Sequence, residues 1–161
     1  SEAFQRYKTD HGVGEPYQLV LAGVPGQHYD QIAAALARSP VRSQIHLIGY
    51  PSEDEKIALL STATALIHPA WYEGFGFTPL EAMLCECPVL CARTASLPEV
   101  VGVDHALWFD PTDAEGLTNL MTQVVQHEEL RRTLRAGGRA WASRYTWSKT
   151  AEQTLRILTN A

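Results

Sequence analysis

The sequence predicts an α/β fold, a Rossmann-like doubly wound parallel sheet with helices on both faces, and three observations carry that prediction. Short continuous apolar runs recur along the chain, as buried parallel strands require. Between them lie segments with helix-start and helix-stop signals. The strands are followed by loops rich in glycine and proline, and in such sheets ligands bind beyond the carboxyl ends of the strands. A chain of 161 residues with 45% hydrophobic content is enough for one domain with a real core, so residues 1–161 are read as a single domain.

Taken in order, residues 2–11 read as a helix carrying Phe4 and Tyr7, stopped by the glycines of His11-Gly12-Val13-Gly14. Residues 17–22 form the first strand, closed by Gly23, and Val24-Pro25-Gly26 turns the chain into a helix from Tyr29 to Leu36. Ile45-His46-Leu47-Ile48 is the next strand and Gly49-Tyr50-Pro51 its loop. Ser52 then caps a helix whose first turn, Glu53-Asp54-Glu55, suits the helix dipole. A strand at 64–67 ends at His68-Pro69. After a glycine-broken loop, Thr78-Pro79-Leu80-Glu81 has the capping-box pattern, with the hydroxyl at the N-cap, proline first and glutamate third. Pro88-Val89-Leu90-Cys91 is a strand, Ser96 to Val101 a short capped helix and Ala106 to Phe109 a strand. Asp110-Pro111-Thr112-Asp113 starts a helix to about His127, and helices at about 128–143 and 147–159 finish the chain.

Composition excludes some functions. The net charge of -5 and the lack of a basic tract argue against a nucleic-acid or anionic-membrane surface, which needs clustered Lys and Arg. No apolar run of membrane-spanning length and no signal-peptide pattern is present, which places the protein in the cytoplasm by default. Cys85, Cys87 and Cys91 cluster, but no His or fourth Cys completes a zinc spacing, so they read as small buried hydrophobes. Arg131, Arg135 and Arg139 have helical spacing and read as a solvated face.

The chemistry converges on Glu73-Gly74-Phe75-Gly76-Phe77-Thr78-Pro79-Leu80-Glu81, where strand, loop and helix meet. The helix start offers unpaired N–H groups and a positive dipole end, and Gly74 and Gly76 let a ligand approach the backbone, so an anion fits there. The loop is no dinucleotide fingerprint, because its third glycine position is Pro79. Glu81 has a structural competitor, the capping-box partnership with Thr78. Tyr50 competes with plain loop packing, and His68 reads as a loop histidine before a catalyst.

These residues resemble the donor-binding, C-terminal half of retaining, nucleotide-sugar-dependent glycosyltransferases of the GT-B fold, the glycosyl transferases group 1 with their E-x7-E signature. The likeness runs through Gln18 to Gly23, Leu47 to Tyr50, His68-Pro69 to Gly76, Pro79 to Met83, Pro88-Val89, Ser96 to Val101, Asp110 to Asp113 and Trp147-Ser148-Lys149. It implies that Glu73, the catalytic candidate, contacts donor-sugar hydroxyls and that Glu81 binds the ribose. A carboxylate only accepts, so two neighbouring hydroxyls suit it. It also implies that the backbone of Gly74, Phe75, Gly76, Phe77 and Thr78 faces sugar and diphosphate, that Tyr50 and Pro51 border the base, and that Gly23 lines the phosphate side.

The implied substrate is a GDP- or UDP-linked sugar, with a lean toward GDP-mannose. No cofactor or metal is implied, and no Asp-x-Asp pair is present. The chain departs from the family pattern in two places. The family's opening strand, with an Arg and a Lys that hold the diphosphate, has no counterpart before Phe4, so the sheet should lack its central first strand and need one from elsewhere. Glu86 stands where relatives carry glycine, and a left-handed cap there strains glutamate. The acceptor-binding N-terminal domain is also outside this sequence. The C-terminal helix at 147–161 would pack toward it, any membrane contact at the inner face would come through it, and the chain alone should be inactive. The competing readings are a non-catalytic nucleotide-sugar-binding or regulatory module, and an unrelated α/β enzyme using Glu73 and Glu81 as acid and base.

Overall fold

The computed structural model describes residues 1–26 and 29–160. Among the described residues, five strands and eight α-helices follow in the order α1 (Glu2–His11), β1 (Leu19–Ala22), α2 (Tyr29–Ala37), β2 (Ile45–Gly49), α3 (Glu53–Thr62), β3 (Leu66–His68), α4 (Phe77–Leu84), β4 (Val89–Ala92), α5 (Leu97–Val101), β5 (Leu107–Phe109), α6 (Ala114–Gln126), α7 (Glu128–Ala142) and α8 (Trp147–Thr159). A 3-10 turn, Arg42–Gln44, precedes β2. All strand pairings among the described residues are parallel.

The sheet is broken in two. β1 pairs with β2, β3–β4–β5 form the other piece, and no ladder joins β1 to β3 among the described residues. The break falls where a doubly wound sheet holds its first strand, as the sequence predicts. The two pieces still share a core: Leu19 and Leu21 of β1 cluster with Ile67, Leu90, Ala92 and Phe109, beneath Phe4 and Tyr7 of α1 and Met121 and Val124 of α6. On the opposite face, Val89 and Cys91 pack with Leu60 of α3, Leu80 and Met83 of α4, Leu97 and Val101 of α5 and Ala142 of α7. Alternate residues of β4 thus enter opposite layers and all four are buried, which is why its sequence is apolar without a period of two.

Side-chain caps set the starts of three helices. Ser52 and Glu55 form a complete capping box at α3, Asp113 accepts from the Gly116 N–H at α6, and Thr146 accepts from that of Lys149 at α8. Helix α4 differs from expectation. It starts at Phe77, its N-cap is Gly76 in a left-handed conformation (φ 113°), and no side chain caps it. Thr78 and Pro79 therefore occupy the second and third helical positions, where proline still removes only a donor that would be unpaired anyway. Ser96 at the start of α5 likewise makes no cap bond.

At the other end of α4, Cys87 N–H reaches the Ala82 carbonyl at 2.9 Å and Glu86 N–H that of Met83 at 3.0 Å, a Schellman motif. Its left-handed residue is Glu86, with φ 56°, as the departure from glycine predicts. Arg131 corrects the solvated-face reading of its helix. Its guanidinium donates to the carbonyls of Val124 and Val125, the last turn of α6, and its side chain is largely buried. Cys87 and Cys91 are buried free thiols. Helix α8 buries none of its described residues and leaves Trp147, Leu155, Ile157 and Leu158 exposed. Ala161, the last residue of the expected C-terminal helix, lies outside the described residues. No helix among the described residues is long and apolar enough to cross a membrane.

Candidate functional site

β3 delivers His68 to the start of a loop, residues 69–76, that ends where α4 begins. Two hydroxyls from the segment after β4 hold this loop. Thr94 Oγ1 donates to the Ala70 carbonyl at 2.7 Å, and Ser96 Oγ donates to the carbonyls of Glu73 at 2.8 Å and Phe75 at 3.1 Å. Ser96 is therefore a loop clamp and not the helix cap that its position in sequence implies. Gly76 is required by the chain itself: beyond its positive φ, a Cβ there would lie 2.9 Å from Leu97 Cδ2. Gly74 meets nothing within 4 Å, so the backbone beside Glu73 is open to a ligand.

The two signature carboxylates have separate partners. Glu73 Oε2 lies 3.2 Å from His68 Nε2. A carboxylate only accepts, so in this contact the Nε2–H of His68 is the donor. Glu81 Oε1 accepts from Lys56 Nζ at 3.0 Å, and the same ammonium reaches Glu53. Its bonds to Glu81 and then Glu53 hold Lys56 above the ordinary lysine pKa. Thr78 makes no bond to Glu81, which lies in the body of α4, so the capping-box competitor for Glu81 is overturned. Lys56 lies in the first turns of α3, after β2, so its bond to Glu81 ties that helix to α4, which follows β3.

Gly23 closes β1 with its N–H on the Gly49 carbonyl at 2.7 Å, so the loops after β1 and β2 adjoin. Tyr50 is 77% exposed, which removes loop packing as its explanation; Pro51 is half-buried beside it. The Phe75 ring lies 4.8 Å from that of Phe77 at a tilt of 43° and edge-on to Tyr145 at 6.0 Å, and both phenylalanines stay exposed. With proline third in α4, the backbone donors left at its start are those of Gly76, Phe77 and Thr78. The site thus combines a helix N-terminus suited to an anion with two half-exposed carboxylates suited to hydroxyl pairs. Sequence reasoning missed Lys56, Thr94 and Ser96 as members of this site. Only the charge of Lys56 on a helix after a strand-end loop signals it.

The family model for glycosyl transferases group 1 matches residues 1–141. The chain belongs to the group 1 glycosyl transferases. It is 34% identical over 139 residues to the O-antigen chain mannosyltransferase B of Escherichia coli, covering 86% of this chain and 36% of that protein. It is 32% identical over 147 residues to the MMP alpha-(1->4)-mannosyltransferase of Mycolicibacterium hassiacum, covering 89% of this chain and 35% of that protein. This glycosyl transferase chain thus spans about a third of the length of these curated relatives. Among solved structures, Anabaena HepE in complex with UDP-glucose superposes with a TM-score of 0.85 at 18% identity, over 99% of this chain and 44% of that one. A sucrose-phosphate synthase from Thermosynechococcus elongatus gives a TM-score of 0.83 at 23% identity, over 99% and 41%. These likenesses establish the GT-B type of α/β fold, and the loop and both carboxylates lie within the matched residues.

Proposed function

We propose that this chain is the donor-binding half of a retaining glycosyltransferase that moves a hexosyl group, most simply mannosyl, from a nucleotide diphosphate sugar to a hydroxyl acceptor. The observation that carries the reading is the pair of carboxylates, each with one oxygen held by a side chain of the protein and its remaining acceptor capacity free. Glu73 takes donor-sugar hydroxyls and Glu81 the ribose hydroxyls. The diphosphate lies against the N–H groups of Gly76, Phe77 and Thr78, with Gly23 on its other side and Tyr50 and Pro51 along the base.

Departure of the nucleotide from the face on which the acceptor attacks leaves charge on the diphosphate, and charge stabilisation of that kind is commonly a large catalytic term. The helix N-terminus supplies part of it, and an Arg and Lys preceding this sequence supply the rest. No metal takes part. The strand that brings them fills the break between β1 and β3, and an acceptor-binding domain, with the apolar face of α8 against it, completes the cleft. The chain alone is inactive, and the protein works in the cytoplasm, with any membrane contact through that other domain. The mannosyltransferases among the relatives support mannose and so GDP, while the UDP-glucose complex of the structural neighbour supports UDP as the alternative base.

Calorimetric titration of the full-length protein with GDP, UDP and ADP, then with the matching nucleotide sugars, decides this. Saturable binding of one nucleotide and its sugar is the expected result. Binding without transfer to any hydroxyl acceptor would favour a regulatory module, and binding of none would remove the donor-site reading.

A further inference from the structure

We propose that His68 is a positioning residue: it orients the Glu73 carboxylate toward the donor sugar, a proposal that rests on the donor-site reading above. The geometry fixes both ends of the pair. His68 is the last residue of β3 and pairs in register with Cys91 of β4, so the ladder sets its backbone. Pro69 follows and restricts His68 to extended conformations. The ring is largely buried, with 15% of the His68 side chain exposed. At the other end, the Glu73 carbonyl is held by Ser96 Oγ at 2.8 Å. Between them the Nε2–H of His68 meets Oε2 of Glu73 at 3.2 Å.

The consequence is selective. Glu73 sits in a loop next to Gly74, where no other side chain among the described residues hydrogen-bonds its carboxylate. Released from His68, the carboxylate would sample several rotamers, and binding a sugar would have to order it again. With His68 in place, Oε2 is engaged, and Oε1 has no hydrogen-bond partner among the described residues. A substrate hydroxyl therefore meets an acceptor already in position, the condition under which a polar contact contributes most. A histidine that only filled the loop would have no preference between a nucleotide and a nucleotide sugar.

The test uses the full-length protein, titrated with UDP and UDP-glucose and with GDP and GDP-mannose, and reads the ratio of the nucleotide-sugar affinity to that of the bare nucleotide. Glu73→Gln, His68→Leu, His68→Gln and the double variant Glu73→Gln with His68→Leu are compared with the parent. The expected result for His68→Leu is a fall of about tenfold in that ratio, with the bare nucleotide binding unchanged. His68→Gln, whose amide N–H can reach Oε2, restores most of it, and His68→Leu adds nothing in the Glu73→Gln background. An unchanged ratio in His68→Leu, an equal loss for nucleotide and nucleotide sugar, or no rescue by glutamine would overturn the proposal. If Glu73→Gln itself leaves the ratio unchanged, the donor-site reading falls and takes this inference with it, an outcome visible without any His68 variant.

Discussion

Glu86 gives a sharp test of how the end of helix α4 is built, because its two substitutions should reverse the usual order of helix preference. Glu86 has φ 56° in a Schellman motif closed by two backbone bonds, and a left-handed L-residue costs about 1–2 kcal/mol. Glycine removes that cost but enlarges the freedom of the unfolded chain, by roughly 0.5–1 kcal/mol relative to alanine. Either substitution also removes the ion pair to Arg139, whose side chains are 60% and 50% exposed, worth about 0.2–1 kcal/mol at such exposure. Glu86→Gly should therefore leave stability near that of the parent, because relief of strain and loss of the pair offset one another. Glu86→Ala keeps the strain and loses the pair, so it should be less stable than Glu86→Gly by about 0.5–1 kcal/mol. In a domain of this size that is a difference in melting temperature of about 1–4 °C. Urea and thermal unfolding of both variants, followed by far-UV circular dichroism, measure it. Within a helix interior alanine would win by about the same amount; alanine equalling or exceeding glycine here would refute the left-handed cap.

Lys56→Met should weaken nucleotide binding about two- to fivefold, because Glu81 loses its cation while staying half-exposed; calorimetry should show no effect in a Glu81→Gln background. Gly76→Ala places a Cβ 2.9 Å from Leu97 Cδ2 at a positive φ, so it should cost about 2 kcal/mol or more and reduce donor affinity, read by unfolding and titration. Burial pushes the Cys87 thiol up from 9.0 to about 11. Burial, then the charge of Glu73, pushes Cys91 up from 9.0 to about 12. Both should resist a thiol-specific disulfide reagent at pH 8 in the native protein, and rapid labelling would contradict their burial. Because both folded-state values lie above the unfolded ones, the stability linked to these thiols is complete below pH 9. It is lost as pH rises toward 11 and 12, so alkaline unfolding should shift upward in pH for Cys91→Ala only if the cavity cost is smaller than that linkage.

The sequence made the architecture legible wherever the determining interaction is local or periodic. The apolar runs located the five strands of the described residues, and Ser52-Glu53-Asp54-Glu55 announced a helix start, which the fold closes with a capping box. The break in the sheet was legible too, from the absence of a strand before Phe4. What failed depended on contacts between distant residues. Thr78 looks like an N-cap in its own stretch, but Gly76, where Leu97 leaves no room for a Cβ, takes the N-cap position and the helix starts at Phe77. Ser96 looks like a cap for α5, yet its hydroxyl goes to Glu73 and Phe75 more than twenty residues earlier. Lys56 and Glu81 are twenty-five residues apart on different helices, a separation at which no periodicity can announce a pair. Lys8 shows the same limit: it falls on an otherwise polar stretch of α1 and is fully buried, donating to the Glu15 carbonyl beside the Phe4 ring.

The central claim, that Glu81 holds the ribose of the donor, is tested most directly by titrating Glu81→Gln with the nucleotide diphosphate that the parent protein binds. The substitution keeps the shape and removes the charge, so affinity should fall about tenfold or more while the fold, followed by circular dichroism, is retained. Nucleotide affinity equal to that of the parent would contradict the account.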